Sequence, residues 1–507
     1  MTGAVQVFRG GLGVDVLGSL NLVGALIKYL SLATLFPVPF AVANSEPVWP
    51  FLGAGLLGGG VGWGLERVTQ GKEAVGVREG FLIVSLTWLF AAGLGALPYV
   101  LSGEDQLSSP LDAYFEAMSG FTTTGATVLT DVEALPDSLL MWRQLTQWLG
   151  GMGIIVLALA VLPRLRVGGR QLLEHELPGP EFDQMTARIR DTARRLWALY
   201  VALTLAMVVV LSAFAWTGVD DRMSPFEALA HAMTTLPTGG FSTEARGVEA
   251  FGASSQWVIA GFMVAAGMNF ALLYRALVLG RPKALVRDQE LRLYVTLLLA
   301  GSLIVVAEVW TEGVARGEEA VRAGVFQFVS LMTTTGYSNM DFNVWPLLAA
   351  VVLVAAMFVG GSAGSTSGSV KVVRHLLIGR ILRRELDQTI HPEIVSRVRL
   401  NGTPVDERTL RAILSFVLLY IGVFALGALA LVADAARVDL DLRLLDAVAA
   451  SATTLGNVGP AFGFAGPMGS FDPFSGVSKT AMIVLMWLGR LEIVPVAVLL
   501  SRHYWRI

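Results

Sequence analysis

A threonine and glycine stretch occurs four times in this chain of 507 residues: Thr123-Thr124-Gly125-Ala126-Thr127, Pro237-Thr238-Gly239-Gly240-Phe241, Thr334-Thr335-Gly336-Tyr337-Ser338 and Thr454-Leu455-Gly456-Asn457-Val458. None of the copies carries a nucleophile beside a base or a pair of carboxylates, so the chemistry open to them is that of the backbone. A bare cation entering a membrane must exchange its water shell for oxygens at similar distances, and main-chain carbonyls supply these when successive C=O groups face one side. Glycine reaches such conformations without a Cβ clash. Gly125, Gly239, Gly336 and Gly456 therefore read as the shared elements of a carbonyl ring. Thr124, Thr238 and Thr335 add hydroxyls or brace the loops, and Thr123, Leu455 and Asn457 complete the candidate ion-binding set. The four glycines lie 114, 97 and 120 residues apart by subtraction of their positions. That period is too long for a solenoid and fits a module of helix, half-helix, loop and helix.

The elements around these stretches belong in a bilayer. With 54% hydrophobic and 15% charged residues and a mean hydropathy of +0.63, the chain has more apolar surface than a soluble core could hide. The net charge of −3 is uninformative in such a protein, and the absence of cysteine removes disulfides, thiolate metal sites and cysteine nucleophiles. Residues 1–16 read as a cytoplasmic leader rather than a signal peptide. Apolar stretches near 17–43 and 49–67 form a leading pair. Spans near 80–102 and 139–163, 195–218 and 256–279, 291–311 and 346–378, and 410–433 and 478–502 then flank short runs at 110–121, 225–236, 320–332 and 443–453. This gives about ten spans of the length a bilayer needs. The short runs cannot cross and read as re-entrant half-helices.

Lys and Arg concentrate in one set of loops, from Arg67, Lys72 and Arg78 through Arg164, Arg166, Arg170, Arg188, Arg190, Arg194 and Arg195 to Arg275, Arg281, Lys283 and Arg287 and then Lys371, Arg374, Arg380, Arg383 and Arg384. The positive-inside rule makes these cytoplasmic, together with both termini. The opposite loops carry Glu104, Asp105, Asp131, Glu133, Asp220, Glu244, Asp341 and Asp434, an acidic rim suited to cations, although acids also simply avoid the positive side. Ser109-Pro110-Leu111-Asp112 and Ser224-Pro225-Phe226-Glu227 read as helix starts with N-cap, N1 proline and a third-position acid. The half-helices then aim their negative C-terminal ends at the repeated loops. On the plainer reading, Asp112, Glu227 and Asp446 are caps only.

Two further features need placing. The third-unit span is interrupted by Gly360-Gly361-Ser362-Ala363-Gly364-Ser365-Thr366-Ser367-Gly368-Ser369 before Val370 and Lys371, a composition that cannot hold a helix and so must be buried in protein or face water. Its spacing does not fit a phosphate-binding loop. Arg490 falls within an apolar span, where it needs an interior partner, and Glu492 is too near in sequence to share its face. Lys28 is expected to snorkel to an interface, and His231 to be a packed histidine rather than a proton relay.

The chain resembles the Trk/Ktr/HKT superfamily of potassium and sodium transporters, and within it the bacterial Trk-type membrane subunit. Thr122 to Thr127, Gln147-Trp148-Leu149-Gly150-Gly151-Met152-Gly153-Ile154-Ile155, Pro237 to Thr243, Met268-Asn269-Phe270-Ala271 and Gly489-Arg490-Leu491-Glu492 carry the likeness. It implies an all-α polytopic membrane protein with four helix, pore-loop, helix repeats around a pseudo-four-fold pore plus two leading helices. The repeats divide as 71–190, 191–285, 286–400 and 401–507 after a leading pair at 1–70, with an intramembrane gating loop at 360–369. It further implies potassium uptake through the bacterial inner membrane, not enzymatic activity, with K+ as the cargo held at the loop residues. Gly125 places the chain with the potassium conductors, since serine in the first loop accompanies sodium preference. Gly360, Gly361, Gly364, Gly368, Lys371 and Arg490 take the gating role. The implied partners are the lipid bilayer, a second copy in a homodimer, and a separate cytoplasmic nucleotide-binding subunit ring docking on the basic loops 164–195 and 371–411; no nucleic acid is implied. Pro237 and Leu455 depart from a uniform pattern and imply an asymmetric site. From the residues alone, a sodium- or proton-coupled solute symporter stays open. An intramembrane enzyme would require a nucleophile or ligand set that the motifs do not supply.

Overall fold

The structure, a computed structural model, describes residues 14–69, 76–161, 182–394 and 396–506. Most of the expected leader and the basic segment 162–181, with Arg164, Arg166 and Arg170, lie outside the described residues. The leading pair is α1 (Val16–Leu30), continued through a 3₁₀ turn into α2 (Val38–Ala43), and α3 (Trp49–Val68). The first repeat comprises α4 (Val77–Ser102), the half-helix α5 (Pro110–Phe121) and α6 (Asp137–Val161). In the second, α7 (Phe182–Thr217) and the half-helix α8 (Pro225–Thr235) precede α9 (Ala253–Ala266) and α10 (Phe270–Leu277). A short α11 (Lys283–Arg287) leads into α12 (Gln289–Thr311), the half-helix α13 (Gly317–Met332), α14 (Leu347–Ala356) and α15 (Val372–Ile390). The fourth repeat holds α16 (Glu407–Val438), the half-helix α17 (Leu444–Gly456), α18 (Gly476–Arg490) and α19 (Val494–Leu500), with a final turn α20 (Arg502–Trp505).

The expected continuous spans at 256–279 and 478–502 are both broken. The chain turns by 107° between α9 and α10 and by 114° between α18 and α19. Apolarity reports that a segment belongs in lipid and is silent about direction. The breaks coincide with local signals: Asn269 caps α10 by accepting the N–H groups of Ala271 and Leu272, and Pro495 sits in the first turn of α19. Among the described residues, five helices are long and apolar enough to cross a membrane, or seven if each bent pair is one span.

The half-helices form the centre. In α17 every residue from Ala449 to Gly456 is buried, and in α13 every residue from Phe326 to Met332. The outer helices expose Leu205, Leu299, Leu303, Leu418 and Leu429, as lipid-facing surfaces do. In the leading pair, a Cβ on Gly62 would lie 2.6 Å from the Gly24 carbonyl, so backbones touch where side chains would hold them apart. Lys28 does not snorkel freely; it pairs with Glu66 across this contact.

Gly62→Leu should therefore separate α1 from α3 and lower stability by about 1–3 kcal/mol. Gly60→Ala, where a Cβ meets nothing within 4 Å, should be neutral or slightly stabilising in the same thermal melt.

Candidate functional site

Each half-helix ends in the same turn. Thr123, Thr238, Thr334 and Asn457 have φ between 53° and 59°, the left-handed region. The next residue donates its N–H five residues back: Thr124 to Ser119 (2.8 Å), Gly239 to Thr234 (2.8 Å), Thr335 to Ser330 (2.9 Å) and Val458 to Thr453 (2.9 Å). This is a Schellman closure, and three β-branched threonines held in its left-handed position mark local strain kept by the surroundings. A second left-handed residue follows two positions on, and it is glycine every time: Gly125, Gly240, Gly336 and Gly459.

This register corrects the one expected from threonine–glycine pairs. Gly240 and Gly459, not Gly239 and Gly456, correspond to Gly125 and Gly336. Gly239 stands where the other loops have Thr124, Thr335 and Val458. Gly456 is the last residue of α17, and Leu455 before it is fully buried against Phe416, Tyr420 and Leu485, a core residue. The spacing was legible: Asp112 to Gly125, Glu227 to Gly240 and Asp446 to Gly459 are each 13 residues by subtraction.

The four glycines close a ring in cyclic order. A Cβ on Gly125 would fall 2.2 Å from the Gly239 oxygen, on Gly240 1.9 Å from that of Thr335, on Gly336 1.9 Å from that of Val458, and on Gly459 2.9 Å from that of Thr124. Each carbonyl thus occupies the place of the next quadrant's missing side chain. All four glycines line one cavity of about 100 Å³, with Arg143 and Glu244 at its wall. Burial, with Glu227 and Glu133 nearby, raises the Glu244 carboxyl above its usual range.

One position in each half-helix holds the chain that leaves the ring. Glu116 accepts the Thr127 hydroxyl (2.9 Å) and the Val128 N–H (3.1 Å); His231 Nε2 bonds the Ser242 hydroxyl (3.0 Å); Gln327 Nε2 donates to the Tyr337 carbonyl (3.4 Å). The fourth quadrant has Ala450 there, and its bracing comes from Asn457, whose Nδ2 donates to Thr124 Oγ1 and to the Met486 carbonyl, both at 3.0 Å. Glu116 also takes Arg143 Nε at 2.6 Å, and Arg143 Nη1 donates to the Ser242 carbonyl (2.8 Å), tying quadrants one and two. Gln147 Nε2 donates to the Gly239 oxygen (2.6 Å) and its Oε1 accepts from Phe241 N–H (3.1 Å). The expected caps are only partly made: Ser224 accepts from Glu227 N–H, whereas Ser109 makes no cap bond and Asp112 pairs with Lys479 at 2.7 Å. Part of the acidic rim is bracing as well, since Asp220 holds Gly252 N–H and Ser255, and Asp434 holds Ser475 and Ser478.

The Gly/Ser segment lies against the ends of the half-helices. Thr366 Oγ1 donates to the Leu236 carbonyl (2.9 Å), Ser367 Oγ to that of Thr333 (2.7 Å), and Gly368 packs so tightly that a Cβ would stand 2.3 Å from the Gly456 oxygen. Orphan carbonyls at three helix ends thus find partners in one loop or pack against it. Left-handed Gly360, Gly364 and Lys371 shape it, while Gly361 packs against Ser367 and the Gly267 carbonyl. Ser362 N–H donates to Gly267 (2.8 Å) and Phe270 N–H to Gly364 (3.1 Å), joining the loop to the α9–α10 break. Arg490 ends α18 at the other break rather than lying mid-span. Its Nη1 donates to the Thr366 carbonyl (3.0 Å) and its Nη2 to that of Gly150 (2.8 Å), so its partners are peptide oxygens, not a carboxylate. Glu492 instead receives Lys371 (3.1 Å) and Arg374.

Four helix, half-helix, loop, helix units closing a backbone ring among apolar helices of membrane-spanning length define a helical membrane transport protein. The chain belongs to the TrkH family, whose model, described as "Cation transport protein", matches residues 62–507. It is 38% identical over 452 residues to the Trk system potassium uptake protein TrkH of Salmonella typhimurium, covering 88% of this chain and 90% of that one. It is 36% identical to the protein of the same name from Halomonas elongata, covering 96% and 98%. The crystal structure of the potassium transporter TrkH from Vibrio parahaemolyticus superposes with a TM-score of 0.84 at 33% identity, over 96% of this chain and 99% of that one.

Arg143→Met would strand the buried Glu116 carboxylate and should cost about 3–5 kcal/mol. Chemical denaturation should show the loss partly reversed in the double variant with Glu116→Gln.

Proposed function

We propose that the protein takes up potassium through a channel-like filter in which backbone oxygens of 123–125, 238–240, 334–336 and 457–459 replace the water shell of K+. The observation that carries this is the closed cyclic contact of Gly125, Gly240, Gly336 and Gly459 around one cavity. Left-handed residues alternate with ordinary ones along each stretch, which lets carbonyls point to one side. Thr123 Oγ1 is buried without a hydrogen-bond partner and is available to an ion, whereas Thr124, Thr335 and Thr238 hydroxyls are bonded within the protein. The Gly239 oxygen already receives Gln147, so the four quadrants coordinate unequally. Relatives named as potassium uptake proteins support potassium as the cargo.

The segment 360–369 acts as the gate in this reading. It fills the space against three half-helix ends, and Arg490 latches it to α6 through Thr366 and Gly150. Lys371 and Arg374 fasten its far end to Glu492. The working assembly is a homodimer in the bacterial inner membrane, both termini cytoplasmic, controlled by a separate nucleotide-binding ring. That assembly rests on the family resemblance, with the basic segments 164–195 and 371–411 as docking surface.

Rubidium uptake into proteoliposomes tests the filter. Gly459→Ala, at φ 118° and 2.9 Å from a carbonyl, should abolish most flux, while Gly456→Ala, with 3.1 Å to its nearest neighbour and ordinary helical φ, should keep a larger share. The reverse order would sink the register. Gly125→Ser should lower flux and relax discrimination against sodium, and unchanged selectivity would count against the assignment. Deleting 361–367 should raise basal uptake; a variant that conducts no better has no gate there.

A further inference from the structure

A cavity of about 440 Å³, which shares no lining residue with the cavity at the glycine ring, opens between α4, α16 and the α18–α19 break. That volume lies within the roughly 300–1,000 Å³ usual for ligand sites. Its walls are largely apolar, with Ile413, Phe416 and Leu491 among them, yet it also touches Arg374, Arg490 and Glu492.

Two buried donors in this wall have no partner. Arg490, 3% exposed, uses both terminal nitrogens on carbonyls and leaves Nε–H unbonded; Trp88, also 3% exposed, leaves its indole N–H unbonded. The guanidinium carbon lies 5.9 Å from the centre of the Trp88 ring, within cation–π range, so the two side chains that carry the orphan donors are neighbours. Buried N–H groups without acceptors cost about 1–3 kcal/mol each. Charge is also out of balance: the Glu492 carboxylate is shared by Arg374 and Lys371, and Arg490 makes no ion pair among the described residues. Arg374 additionally lies 4.1 Å over the Phe416 ring. The arrangement asks for an acceptor that is anionic and that carries apolar bulk.

We infer that this cavity binds an anionic phospholipid, its phosphate among Arg490, Trp88 and Arg374 and its acyl chain along Ile413 and Phe416. Basic pockets between membrane helices select such headgroups, and a free inorganic anion would leave the apolar wall unsatisfied. Because Arg490 also holds the Thr366 carbonyl, the occupant touches the residue that fastens the Gly/Ser segment. The binding claim stands apart from the transport reading.

Full-length protein in neutral detergent, offered equal phosphatidylglycerol and phosphatidylcholine, tests this by the lipid retained after gel filtration. The wild type should hold roughly five-fold more phosphatidylglycerol, the preference one uncompensated cation supplies. Ala412→Trp fills the cavity from its exposed wall, so it should erase the excess with elution volume and melting temperature unchanged. Trp88→Phe, which removes one donor and keeps the ring, should reduce it. Equal retention of the two lipids overturns the proposal. So does an excess that survives Ala412→Trp in folded protein, and so does displacement of the lipid by excess inorganic phosphate, which would make the site one for a free anion.

Discussion

The structure depends on one steric constraint: at four places the backbone of one quadrant occupies the volume a side chain would need in the next. Gly125, Gly240, Gly336 and Gly459 each lie against a neighbour's carbonyl, and the contacts return to their start. A Cβ at any one of them would push apart two quadrants, and through the cyclic order all four. Glycine is required there twice over, by space and by left-handed φ. The half-helices serve this closure, since their Schellman ends deliver each glycine at the same offset.

Around that common element the quadrants differ. Glu116, His231 and Gln327 brace three of them with carboxylate, imidazole and amide, and Ala450 leaves the fourth to Asn457. The contact from Gly459 to Thr124 is the widest of the four. Buried polar groups must find partners, but many pairings satisfy that demand. Four repeats under one geometric constraint have therefore kept the backbone alike while their side-chain bracing diverged.

Below the ring, three of the four second spans are interrupted, at 267–269, 357–371 and 491–493. Open backbone at membrane depth is costly unless protein satisfies it. Here the interruptions help to satisfy one another: Gly267 and Phe270 bond the Gly/Ser segment, Glu492 receives Lys371 and Arg374, and Arg490 reaches Thr366. An arginine among peptide oxygens is placed by that need, as its guanidinium offers several donors and no acceptor.

The sequence by itself determined the membrane class, the four-unit order, the half-helix limits at 110–121 and, to within one residue, at 225–236, and the special standing of Gly125 and Gly336. These follow from composition, periodicity and capping signals, which are local. It misplaced the second glycine because Gly239 and Gly240 adjoin after Thr238, and the fourth because Gly456, two residues after Thr454, offers a glycine three residues ahead of Gly459. What fixes the register is a hydrogen bond five residues back and a carbonyl from another repeat, by subtraction 95 residues away for Gly240 and 335 for Gly459. Only the tertiary structure decided that spans 256–279 and 478–502 turn sharply, that Leu455 is core, and that Arg490 answers to carbonyls. Direction and partnership are properties of folded backbone in contact with itself, and no window of sequence contains both sides of such a contact.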